Sequence, residues 1–239
     1  IYSLLVIIMQ FTRSRLAHSL LTPTRAFLKG QGNKIGRFPT KHFSSVSTVP
    51  PVIEKLYQTI RPPSHPTDII LKQDNNEAIR YVGEALQAYF ISGQRLPFEL
   101  VTEILRDSTT NFKQLPNILP LKIPTSSSST AVAPANGASS EIPNPSGGKL
   151  NVCGDTHGQF YDFCEIFDNE VGGYPSLTNH YLFNGDIVDR GPMALEIFFY
   201  LLTIKLISSN TIHILRGNHE SIGMTNVFGF KNEIKKKYF

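Results

Sequence analysis

Three short strand-like runs, Leu150–Cys153, His180–Asn184 and Thr211–Leu215, are each followed at once by a glycine-bearing polar loop. Helix-forming segments come next, around Phe160–Phe167, from about Pro192 to Ile207, and beyond Glu220. Strand, loop and helix in a repeated cycle predict an α/β fold in which ligands gather at the carboxyl ends of the strands.

The three loops share a composition. They read Gly154-Asp155-Thr156-His157-Gly158, then Gly185-Asp186-Ile187-Val188-Asp189-Arg190-Gly191, then Gly217-Asn218-His219-Glu220. With the strands as neighbours, Asp155, His157, Asp186 and Asn218 converge on one edge of the sheet. Carboxylate and amide oxygens mixed with an imidazole nitrogen suit manganese, iron or zinc better than calcium or a thiolate-selected metal. Glycine beside each ligand lets the backbone turn sharply and come close to an ion or a phosphate. An isolated Asp-x-His or Gly-Asn-His-Glu reads equally well as an ordinary turn. Asp186, Asp189, Arg190 and two glycines in one loop make a poor structural turn, and three such loops in order point to a shared chemistry.

Net charge is unevenly spread along the 239 residues. Residues 1–53 hold seven Lys or Arg and no acid, which leaves 16 basic and 19 acidic residues in the remainder. The basic pI belongs to this leader and gives no argument for nucleic-acid binding by the folded part. Residues 9–50, rich in Arg, Ser and Thr, have the composition either of an organelle transit peptide or of a disordered basic tail. The apolar run "IYSLLVIIM" is about half of the ~20 residues that a membrane span requires. Cys153 and Cys164 form no CxxC pair, so a disulfide framework is excluded.

Ordered structure is expected from near Asp74. Asp74 with Glu77 makes an Asp variant of the capping box, Ala78, Ile79, Val82, Ala85, Leu86, Tyr89 and Phe90 recur at helical spacing, and Gly93 ends the segment. A shorter helix is expected from Pro97 through Leu105. Residues 124–148 carry one charge and almost no large apolar side chain, the composition of a flexible insertion. The chain thus divides into a leader (1–53), a helical part (54–123), the insertion (124–148) and a core (149–239).

"GDTHGQ", "GDIVDRG" and "RGNHE" resemble the three signature motifs of the metal-dependent phosphoprotein phosphatase family of Ser/Thr phosphatases. The flanking text, such as "VCGDTHGQFYDF" and "RGNHESIGMTNVFGFKNEIKKKY", is most similar to the protein phosphatase 5 branch. The resemblance covers residues 150–239 closely and the helices of 74–107 more loosely, while no 34-residue tetratricopeptide period is visible. It implies a calcineurin-like metallophosphoesterase fold, an α/β β-sandwich flanked by helices and only partly present in this chain.

The resemblance also implies roles. Asp155, His157 and Asp186 match the ligands of one metal, with Asp186 bridging to a second whose ligand Asn218 matches. His219 matches the general acid for the leaving Ser or Thr oxygen, Asp189 the acid that orients it, and Arg190 a phosphate-binding arginine. The family's remaining histidine ligands, a second arginine and a tyrosine lie further downstream than Phe239, so the chain reads as a fragment, inactive by itself. The implied reaction is hydrolysis of phosphoserine and phosphothreonine in proteins by hydroxide activated at two divalent ions, manganese first, with iron or zinc as alternatives. A phosphoesterase of small phosphoesters or dinucleoside polyphosphates, and an inactive paralogue that only binds partners, are the competing readings. The implied setting is cytoplasmic or nuclear, or a mitochondrion or plastid if the leader is a transit peptide, with phosphorylated proteins as partners and no nucleic acid or membrane span.

Neighbouring residues receive plainer expectations. Arg216 and Glu220 read as structural ion-pairing residues, His180 and His213 as core or surface histidines, and Lys235, Lys236 and Lys237 as a solvated helix end. Tyr161 and Phe163 are expected to pack beneath the first loop.

Overall fold

The computed structural model describes residues 49–66, 76–116, 118–121 and 147–239. Most of the basic leader, the Asp74 cap and all but the last residues of the 124–148 insertion lie outside the described residues.

Chain order runs through α1 (Pro51–Ile60), α2 (Asn76–Ile91), α3 (Phe98–Gln114), β1 (Lys149–Cys153), α4 (Phe160–Glu165), β2 (Asn179–Phe183), α5 (Ala194–Ile207), β3 (Ile212–Ile214), α6 (Ile222–Val227) and α7 (Phe230–Tyr238). Helix α1 begins well before Asp74, and its first turn falls inside the segment that composition assigns to the leader. Proline at the first helical position needs no N–H partner, and Val52, Ile53, Leu56, Tyr57 and Ile60 form a buried stripe. A helix this short is marginal alone. It gains its stability by docking on α2, α3 and α5.

Helix α2 ends as its glycine requires. Gly93 has φ 78°, its N–H donates to Phe90 O, and the Gln94 N–H donates to Tyr89 O, the paired bonds of a Schellman motif. Helix α3 starts after Pro97 and continues to Gln114, beyond the expected Leu105, because Ser108, Thr109 and Phe112 prolong its buried face.

The three strands form one parallel sheet in the order β1-β2-β3, with Cys153 opposite Phe183 and Phe183 opposite Ile214. The second sheet that a sandwich requires is not among the described residues. Parallel neighbours need crossovers, and α4 and α5 lie in the two connections. All fourteen residues of α5 are buried. A helix apolar on every side belongs in an interior. Here α5 lies between the sheet and a second helical layer of α1, α2 and α3, with α4 and α7 beside it. Close approach of α2 to α5 depends on Gly83, where a Cβ would come within 2.7 Å of the Tyr200 hydroxyl. No described helix is long and apolar enough to cross a membrane.

Candidate metal centre

Because the strands are parallel and adjacent, their carboxyl ends deliver the three glycine-bearing loops to one edge of the sheet. Backbone hydrogen bonds then join the first loop to the second. Asp186 O accepts from the Thr156 and His157 N–H groups, Ile187 O accepts from Gly158 N, and Gly191 N donates to His157 O. The glycines permit this contact: a Cβ at Gly158 would lie 2.8 Å from the Gly191 carbonyl carbon, and one at Gly185 would overlap the backbone of Gly217.

One carboxylate oxygen each from Asp155 and Asp186 and one ring nitrogen of His157 lie within 4.8 Å of one another. Asp155 is exposed, His157 buried and Asp186 half-buried. Whether these groups suit a cation is answered by the imidazole. His157 Nδ1 sits 2.8 Å from the Val188 carbonyl, an acceptor, which places a proton on Nδ1. Its Nε2 is buried, has no hydrogen-bond partner and lies 3.7 Å from Asp155 Oδ2. A histidine held through one nitrogen by a backbone carbonyl, with the other nitrogen free beside carboxylates, has the arrangement that metal-ligating histidines adopt. The donor set fits a divalent metal ion.

Beside this group stands a second pair. Asp189 is 1% exposed, and its Oδ2 lies 2.9 Å from His219 Nδ1 while its Oδ1 accepts the Phe230 N–H at 2.9 Å. The two imidazoles, His157 and His219, meet edge to face with centroids 4.7 Å apart. Phe228 covers another side of His219 at 5.2 Å. His219 Nε2 is left facing Arg190 Nη2 at 3.5 Å. A guanidinium can only donate, so this pairing leaves the imidazole proton on Nδ1, directed at Asp189. Asn218 is exposed between Gly217 and His219, and the His219 N–H donates to Asp186 Oδ1 at 2.8 Å, which ties the third loop to the second.

Glu220 departs from its expected role. Its carboxylate is buried and pairs with no cation among the described residues; instead it accepts four backbone N–H groups, from Asp186, Ile187, Val188 and Gly217. Arg216 donates from Nε to the Glu220 backbone carbonyl, not to its carboxylate. The sequence placed Glu220 in the right motif, but nothing local signals which amides it meets 32 to 34 residues away. Two other expectations also change. Lys237 is no solvated residue, since its ammonium reaches Glu196, Glu233 and the Pro192 carbonyl, whereas Lys235 and Lys236 are exposed. Phe163 is buried under the sheet, but Tyr161 is 59% exposed.

Residues 148–239 match the family of calcineurin-like phosphoesterases. Serine/threonine-protein phosphatase 5 of Homo sapiens is 52% identical over 90 residues, which are 38% of this chain and 18% of that protein. Serine/threonine-protein phosphatase T of Schizosaccharomyces pombe is 35% identical over 170 residues, 71% of this chain and 30% of that protein. A solved structure of a protein serine/threonine phosphatase from Saccharomyces cerevisiae superposes with a TM-score of 0.53 at 33% identity, over 66% of this chain and 44% of that one. The chain spans less than a third of the length of these curated relatives.

Proposed function

From a chain whose residues 148–239 are a calcineurin-like phosphoesterase segment, we propose that the whole protein is a metal-dependent protein Ser/Thr phosphatase acting on phosphoserine and phosphothreonine. The observation that carries this reading is the buried, unpartnered Nε2 of His157, aimed beside Asp155 and Asp186 and in ring contact with the Asp189-held His219. Asp155, His157 and Asp186 would hold one divalent ion, and Asp186 with Asn218 would contribute to a second, with Mn²⁺ as the first choice and iron or zinc as alternatives. Two such ions supply Lewis acidity to a phosphoryl group and lower the pKa of water toward neutrality.

The chain's own residues do the rest. Arg190 lies exposed at the mouth of the site, where its planar fork can grip two phosphate oxygens. With that guanidinium engaged on phosphate, His219 Nε2 can receive a proton from solvent and deliver it to the departing Ser or Thr oxygen. Asp189 holds the ring through Nδ1 throughout, and its own second oxygen is fixed by the Phe230 amide. Phe228 keeps water off one side of the ring.

The test is hydrolysis of a phosphoserine peptide by the full-length protein, with and without added Mn²⁺. Metal-dependent release of phosphate that an Asp186→Asn change abolishes supports the reading. Equal turnover in EDTA, or turnover of dinucleoside polyphosphates in place of the peptide, overturns it.

A further inference from the structure

We propose that Glu220 is a positioning residue that sets the metal-binding conformation of Asp186; this rests on the metal-centre reading above. Asp186 is held in the left-handed region at φ 50°, a conformation that is strained for a non-glycine residue and persists only where surroundings enforce it. Every polar group of its backbone is engaged. The Asp186 carbonyl accepts the Thr156 and His157 amides, and its N–H donates to Glu220 Oε2 at 2.8 Å. Its side-chain Oδ1 accepts the His219 N–H, so Oδ2 is the oxygen left free for a cation.

Glu220 supplies the part of this frame that no other described side chain provides. Three successive N–H groups, of residues 186, 187 and 188, converge on one carboxylate, as amides converge on an anion in a backbone nest. Here the anion is covalently part of the protein. The same Oε2 that receives Asp186 N receives Gly217 N at 2.8 Å, so one atom clamps the second loop to the third. The clamp leaves no room for a side chain: a Cβ at Gly217 would overlap the Asp186 carboxylate. The Glu220 backbone is held in turn by Arg216 Nε at 2.9 Å, and the residue is 3% exposed.

Both oxygens are needed, since each receives two donors. Glutamine in this place would turn an NH₂ toward two N–H groups and release one half of the frame. Glu220→Asp keeps the charge but withdraws it by one methylene. The experiment measures Mn²⁺ binding by the paramagnetic resonance signal of free Mn²⁺, on the full chain and on both variants, beside thermal unfolding in EDTA. The expected result is an Mn²⁺ affinity weakened by about 10- to 100-fold in Glu220→Gln, the range seen when groups behind metal ligands are removed. Glu220→Asp is weakened less, and both variants unfold cooperatively in EDTA near the wild-type temperature. Wild-type affinity in Glu220→Gln overturns the inference, and so does loss of cooperative unfolding in both variants, which would make Glu220 a residue of the fold alone. If the unaltered protein binds no Mn²⁺, the metal-centre reading itself fails, an outcome distinct from either.

Discussion

His157, Asp186, Asp189 and Arg190 are the non-glycine residues with positive φ among the described residues, at 38°, 50°, 71° and 66°. All four lie in the two loops that form the candidate site, where strain of this kind tends to gather because neighbouring bonds hold it in place. Asp189 shows how: its buried carboxylate accepts the Phe230 amide with one oxygen and His219 Nδ1 with the other. Asparagine has a single acceptor oxygen, and its amide would face one of those two donors. In the full-length protein, Asp189→Asn is therefore expected to lower kcat by about 10²-fold or more with little change in KM, measured on a phosphoserine peptide. The resemblance of the loops to the family's motifs marked Asp189 and His219 as candidates. The Phe230 amide and the Phe228 ring were not legible there, because partners met through a turn of the chain leave no periodic trace.

Among the elements, α5 was the most legible, since fourteen residues with an apolar character on every side have nowhere to go but the interior. Its two charged residues were less so. Glu196 pairs with Lys237 of α7 at 2.6 Å, and the same ammonium reaches Glu233 at 2.7 Å. Lys237→Ala leaves both carboxylates low in solvent and without their cation, Glu233 keeping only the Leu195 N–H, which costs about 3–5 kcal/mol. The value should fall at the low end, since burial already raises the Glu233 pKa and readies that group to take a proton. Urea unfolding of the variant against the wild type gives the number. Lys205, near the other end of α5, donates to the Ser209 and Ile212 carbonyls, and burial lowers its pKa to about 8. Its charge stands near His213 of β3, whose pKa is lowered to about 4 first by burial, then by Lys205, with His180 adding to the effect against the Asn210 carbonyl. Between pH 6.5 and about 4 the unfolded chain binds a proton that folded His213 refuses, so stability is full above 6.5 and falls as pH drops. The melting temperature of His213→Gln should decline less over that window than that of the wild type.

At the scale of the molecule, three layers come together: the parallel sheet, the α5 layer and the α1–α3 layer. The sheet gathers the three loops, and α5 supplies the apolar floor beneath it. A cation that binds the folded site and not the unfolded chain should stabilise the whole protein by about 2.7 kcal/mol at a hundred times its dissociation constant. Adding Mn²⁺ should thus raise the unfolding temperature of the full-length protein, EDTA should reverse the rise, and Asp186→Asn should show none. The sequence by itself determined the alternation of strand, loop and helix and the composition of the three loops, because both are local properties of short segments. It also placed the helical stripes of α2 and α3, though not α1, whose start lies beside a basic leader of different composition. Only the tertiary structure decided that Glu220 binds four amides instead of a cation, that Lys237 lies between two acids, and that Tyr161 faces outward. Those outcomes depend on groups brought together from distant parts of the chain, where burial and geometry choose each partner and residue type alone does not.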